Sequence, residues 1–140
     1  MKLNLYSAIE VIKGFQEELK KSSGSIVLFS SVAAQKGFTN HTIIATAKAA
    51  ILGLTRRLAK EVGEFGIRVN AIAPTHFRTP MLEKAISLNP EGAEYFTKNI
   101  PLGRLGQREE LVGTIVYLSS AASSMVTGIV LAVDGGHTAR

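Results

Sequence analysis

The chain has 140 residues, 46% of them hydrophobic, with 13 glycines, 4 prolines and no cysteine; this suffices for one domain with its own core and excludes disulfides, thiolate metal sites and a cysteine nucleophile. The formal charge of +5 is carried by scattered lysines and arginines without a run of five like charges or an aromatic-interleaved basic patch, so nucleic acid is not an expected partner. No apolar stretch reaches the ~18 residues of a membrane span, and Asn4, Ser7 and Glu10 interrupt the N-terminus where a signal peptide would be continuously apolar, so a soluble, cytoplasmic protein without a membrane partner is expected.

In residues 3–19, Leu5, Ile9, Ile12 and Leu19, with Val11 and Phe15 beside them, recur near a 3.6-residue period, which predicts an amphipathic helix ending before Ser22-Ser23-Gly24. Residues 25–30 (SIVLFS) form a short, continuous apolar run after a glycine, the pattern of a strand covered on both faces. Beyond a loop through Gly37 and Asn40, residues 41–62 predict a long helix. Its first half is apolar on nearly every side and rich in small residues, as for a helix packed both on a sheet and on a partner subunit.

The helix stops near Gly63 or Gly66, and residues 67–73 (IRVNAIA) read as a second strand closed by Pro74. Residues 79–98, punctuated by Pro80 and Pro90, read as one or two short helices in a flap. Residues 107–120 predict a helix with Leu111, Ile115 and Leu118 on one face. Residues 129–133 predict a last strand, ended by Asp134-Gly135-Gly136. The order α, β, α, β, α, β calls for parallel strands in an α/β sheet.

Four segments in this order resemble one family. They are Gly24-Ser25-Ile26-Val27 running into Ser30-Ser31-Val32-Ala33; Ala45-Thr46-Ala47-Lys48-Ala49-Ala50 with Leu58-Ala59-Lys60-Glu61; Ile67-Arg68-Val69-Asn70-Ala71-Ile72-Ala73-Pro74 with Thr79-Pro80-Met81; and Gly103-Arg104-Leu105-Gly106 through Thr127-Gly128 to Val133-Asp134-Gly135-Gly136. The family is the short-chain dehydrogenase/reductases, NAD(P)-dependent oxidoreductases on a Rossmann fold. The resemblance is to the second half of such an enzyme: three parallel strands flanked by helices. The glycine-rich turn that holds the cofactor pyrophosphate in the family's first half has no counterpart among these residues, and the Gly103-Arg104-Leu105-Gly106 segment reads as a loop element.

The resemblance also implies a site. In the family, proton transfer is carried by a tyrosine, with an unperturbed pKa of ~10, assisted by a lysine four residues on, which also holds the nicotinamide ribose. Lys48 matches the lysine, and Ile44 stands at the tyrosine position. Ser31 matches the substrate-orienting serine, with Ser30 beside it as an alternative and a turn-capping serine as the structural reading. Asn4 matches the asparagine that extends the proton relay, or else satisfies backbone groups at a helix irregularity. Pro74, Phe77 and Thr79 match the loop that meets the nicotinamide carboxamide, although Thr79 also suits a helix N-cap before Pro80, and Thr75 replaces the usual glycine. His41, three residues before Ile44, lies on the same face if the helix includes it, and would then be the substitute acid/base. No metal site is expected, because His41, His76 and His137 stand far apart in sequence with no carboxylate at ligand spacing.

The cofactor implied is NAD or NADP. The implied partner is a second copy or an intact relative, because the family commonly pairs through the first two helices. Three functions stand open: a homologue without turnover that acts as an oligomerisation or regulatory module; part of an active alcohol/ketone oxidoreductase completed by a separate N-terminal half; and a remnant of a decayed gene.

Overall fold

A computed structural model of the chain describes residues 1–90 and 93–139; positions 91 and 92, inside the segment expected to form a flap, lie outside the described residues. Its three strands, β1 (Ser25–Phe29), β2 (Arg68–Pro74) and β3 (Val130–Val133), form one parallel sheet in the order β1-β2-β3. In register, Ile26 faces Val69, Phe29 faces Ile72, and Pro74 faces Val133. The α/β architecture, three parallel strands flanked by helices, is the one the sequence pattern calls for.

The centre of the sheet is β2, and Val69, Asn70, Ala71, Ile72 and Ala73 are all buried. A continuous apolar run suits a strand covered on both faces. Its one polar interior residue, Asn70, is fully paired: Nδ2 donates to the Val126 carbonyl (2.8 Å) and Oδ1 accepts from the Ile129 N–H (3.2 Å), tying β2 to the approach of β3. Helix α3 (Thr42–Val62) packs on the Val69/Ala71 face and buries a line of every fourth residue, Ala47, Ile51, Thr55 and Ala59. Small side chains let the helix approach the sheet closely, and the Thr55 hydroxyl is satisfied by the Ile51 carbonyl at 2.7 Å. Ile51 and Ile72, fully buried, are worth up to about 1.5–3 kcal/mol each on the apolar-transfer scale. Near the N-terminal ends of β1 and β2, the Ser25 hydroxyl donates to the Leu118 carbonyl, and the Arg68 guanidinium donates to the carbonyls of Leu118 and Ser120 and to the Ser123 hydroxyl.

Four expectations need correction. The helix expected over residues 3–19 is three pieces: a π turn at Lys2–Tyr6, α1 (Ser7–Gly14) and α2 (Gln16–Ser22). The break falls at Phe15, whose φ/ψ of −106°/13° leaves the helical region and whose N–H is shared between the Val11 and Ile12 carbonyls. Strand β1 is not covered evenly on both faces: Leu28 is buried, but Phe29 is 45% exposed. The helix expected over 107–120 begins as a 3₁₀ turn, Arg108–Leu111, and becomes α6 (Val112–Ser119) only afterwards. His41 is the N-cap residue of α3, with non-helical φ/ψ, so the helix excludes it. The expected flap contains two short helices, α4 (Pro80–Leu88) and α5 (Ala93–Thr97).

Candidate functional site

Parallel strands put all their C-terminal ends along one edge, where open α/β sheets bind ligands. Ser30 and Ser31 follow β1, Thr75 to Thr79 follow β2, and Asp134 to His137 follow β3. The two serines divide their tasks. Ser30 is buried and its hydroxyl donates to the Lys48 carbonyl (2.9 Å), pinning the middle of α3 to the end of β1. Ser31, in extended backbone, accepts the Ala33 N–H (3.1 Å) and so caps the 3₁₀ turn Val32–Ala34. Its own hydroxyl proton is left to donate elsewhere.

Lys48 sits on α3 with Nζ donating to the Phe29 carbonyl at 2.8 Å. Burial pulls its pKa below the ordinary lysine value. One helical turn earlier stands Ile44, which offers no ionisable group beside the ammonium. Asn4, Asn40, His41 and Ile44 line one open cleft of about 470 Å³. There His41 Nδ1 lies 2.6 Å from the Thr39 carbonyl; a carbonyl oxygen only accepts, so Nδ1 carries the proton.

The loop after β2 shows why threonine is tolerated at position 75. Among the described residues only Ser23 and Asn40 are non-glycine residues with positive φ, so Thr75 needs no glycine-like conformation. Its hydroxyl lies 2.7 Å from His137 Nδ1, joining the loops after β2 and β3. Phe77 is buried against Gly106, where a Cβ would come within 2.5 Å of the ring; that close approach explains the second glycine of the Gly103-Arg104-Leu105-Gly106 segment. The parallel bridge between them is made by Arg78 N–H to Gly106 C=O (2.8 Å) and Gly106 N–H to His76 C=O (3.0 Å), so the Phe77 backbone groups take no part in it. Behind it, Arg104 makes a bidentate pair with Glu110 (2.7 and 2.8 Å), whose carboxyl is held down at about 2 chiefly by that pair. Thr79 caps α4, its hydroxyl accepting the Leu82 N–H (3.2 Å).

The histidines, distant in sequence, converge in space. The Phe38 ring lies 5.7 Å from His41, 6.3 Å from His76 and 5.4 Å from His137, and His76 and His137 are 6.0 Å apart, centroid to centroid. Only the fold brings these residues together; no group of three His, Cys, Asp or Glu side chains able to hold a metal occurs among the described residues. His76 donates from Nδ1 to the Phe96 carbonyl (3.1 Å), and burial lowers its pKa. No sequence signal points to this cluster, because each member comes from a different loop.

A family model described as enoyl-(acyl carrier protein) reductase matches residues 1–138. The chain belongs to the short-chain dehydrogenase/reductase family. It is 42% identical over 139 residues to L-xylulose reductase of Bos taurus, covering 98% of this chain and 57% of that protein. It is 43% identical over 118 residues to 3-oxoacyl-[acyl-carrier-protein] reductase FabG of Chlamydia trachomatis, covering 84% of this chain and 46% of that one. An Agrobacterium tumefaciens protein named as a 2-deoxy-d-gluconate 3-dehydrogenase, solved with bound NADP, superposes with a TM-score of 0.92 at 36% identity, covering all of this chain and 57% of that one. The chain thus spans about half the length of the relatives it matches.

Three groups along this edge keep the hydrogen-bonding capacity that the nicotinamide end of such a cofactor would need. Lys48 spends one of three N–H donors on Phe29, the Phe77 backbone is unused by its bridge, and the Thr79 hydroxyl proton is left by its cap. When bound, that cofactor supplies hydride chemistry. No helix of the described residues is long and apolar enough to cross a membrane.

Proposed function

We propose that this chain supplies the substrate-facing wall and the nicotinamide contacts of an NAD(P)-dependent oxidoreductase site, and that it acts by association, with copies of itself or with an intact relative, without turnover on its own. The observation that carries this is Ile44. One turn from Lys48, where the family resemblance places a proton-transferring phenol, the face holds a hydrocarbon, and the Lys48 ammonium turns to the Phe29 carbonyl instead. Loss of a general acid/base alone removes about 10²–10⁴ in rate. The purified chain, given NADH or NADPH with L-xylulose or a 3-oxoacyl thioester, is expected to oxidise no cofactor above the buffer rate. Turnover would overturn the reading.

The unpaired edge of β1, with Phe29 half exposed, favours a second reading: completion by a separate polypeptide carrying the glycine-rich half of the fold, to give an active alcohol/ketone oxidoreductase. A mixture with such a half from a relative that oxidises NADPH while Ile44 is retained decides for this reading. Oxidation gained only with Ile44→Tyr decides for the first.

A further inference from the structure

Two bonds running in opposite directions fix Lys48 against the end of β1. Its Nζ donates to the Phe29 carbonyl (2.8 Å), and the hydroxyl of the next residue, Ser30, donates to the Lys48 carbonyl (2.9 Å). Ser30 is buried, so the second bond locks the backbone of α3 beneath the lysine side chain. The side chain itself is partly exposed, which leaves the amine open to a small molecule.

The surroundings of this amine carry no negative charge. The sequence has no aspartate or glutamate from residue 19 to residue 60, a stretch that holds all of β1 and nearly all of α3. Residues 65 to 82, which hold β2 and the loop after it, have none either. One turn away from Lys48 along α3, in both directions, stand Ile44, Ala45, Ile51 and Leu52. The acid after β3, Asp134, is occupied: one carboxylate oxygen accepts the Gly136 N–H (2.9 Å), and the other accepts the N–H and the hydroxyl of Thr138 (2.8 and 2.6 Å). Lys13 and Lys20, by contrast, pair with Glu10 and Glu17 at 3.2 Å each. Desolvation with no anion to offset it pulls the Lys48 pKa below the ordinary lysine value, which raises the share of neutral amine at any given pH.

A neutral amine fixed beside hydrocarbon is a nucleophile towards carbonyl compounds. We propose that Lys48 Nζ is a site of reversible imine formation with aldehydes, giving this chain a covalent hold on a carbonyl compound that needs neither a cofactor nor a phenol. The amine lone pair adds to the carbonyl carbon, and both amine protons pass to the carbonyl oxygen, which leaves as water. A C=N bond to Nζ replaces the C=O bond, with no change of oxidation state. The Phe29 carbonyl, an acceptor only, engages an N–H and so leaves the lone pair directed away from it. No hydride moves in this step, so it stands or falls apart from the no-turnover reading.

The test is competitive labelling of the full chain with glycolaldehyde and cyanoborohydride, which reduces the imine to a stable secondary amine, followed by peptide mass spectrometry. At about pH 7 and low conversion, Lys48 is expected to label about tenfold or more faster than the solvent-exposed Lys13 and Lys60. In guanidinium chloride the preference is expected to vanish, because the fold desolvates the amine. Ile44→Glu, which sets a carboxylate one helical turn from the ammonium, is expected to slow Lys48 about threefold or more. The uncharged Ile44→Gln is expected to leave it fast. Equal rates at the three lysines of the native chain, a preference that persists in denaturant, or equal rates in Ile44→Glu and Ile44→Gln overturns the proposal.

Discussion

Protonation of one buried imidazole, His137, and one half-buried, His76, ties the stability of the strand-end edge to pH. Burial is the first cause that lowers the pKa of both His76 and His137 below the ordinary value of 6.5. The unfolded chain therefore binds protons at a pH where the folded chain does not. The stability these residues contribute is fully present above about pH 6.5 and is lost as the pH falls towards their lowered folded values. Urea midpoints taken from about pH 8 down to about pH 5 are expected to fall, and His137→Asn to flatten the decline; a pH-independent midpoint would count against burial of these rings. None of this was legible in the sequence, because Thr75 and His137 stand 62 positions apart and only the strand register brings them together. That Lys48 lies on the long helix and Ser31 just past a strand was legible, since both belong to short motifs whose spacing is local. The division of labour between Ser30 and Ser31 was not, because it depends on which hydroxyl faces the Lys48 carbonyl.

Helix α4 illustrates how one residue serves two readings at the level of an element. Thr79 precedes Pro80 at the first helical turn and accepts the Leu82 N–H, so the cap is formed irrespective of any ligand. Thr79→Ala is expected to cost about 1 kcal/mol of local stability, read as faster hydrogen exchange at the Leu82 and Glu83 amides with little change in the exchange of β2. Thr79→Ser, which keeps the oxygen, is expected to restore protection; equal exchange in all three proteins would show that the cap carries no weight. Elements with long, one-sided or continuous patterns, α3 and β2, were readable because the pattern outruns local exceptions. The N-terminal helix was misread at Phe15 for a physical reason: Phe15 fits the apolar period, and only the adjacent Gly14 marks the place where the backbone leaves the helix. The π turn at Lys2–Tyr6 likewise arises from a backbone pairing, Tyr6 N–H to the Met1 carbonyl (3.4 Å), that no side chain announces.

The whole molecule leaves too much surface in water. Its accessible area is 8745 Å², whereas an ordinary folded monomer of 15.0 kDa exposes about 7,000 Å². The excess is roughly twice what one partner buries in a standard protein–protein interface. Two of the regions that expose apolar side chains are the N-terminal helical layer, where Leu3 is 83% and Ile43 79% exposed, and the β1 edge at Phe29 with Val112 and Val116 of α6 more than half exposed. Exposed apolar side chains beyond what an ordinary monomer shows favour association. Light scattering behind size-exclusion chromatography is expected to give at least twice the chain mass at micromolar concentration, and a stable monomer would refute this. The two regions are separable by mutation. Ile43→Asp is expected to weaken self-association about tenfold or more by burying a charge in the helical layer, whereas Phe29→Asp is expected to leave it intact, because that edge suits a complementary β/α half rather than a second copy. If Phe29→Asp dissociates the assembly and Ile43→Asp does not, copies of this chain pair through their open sheet edges, and the helical layer is the face left for a relative.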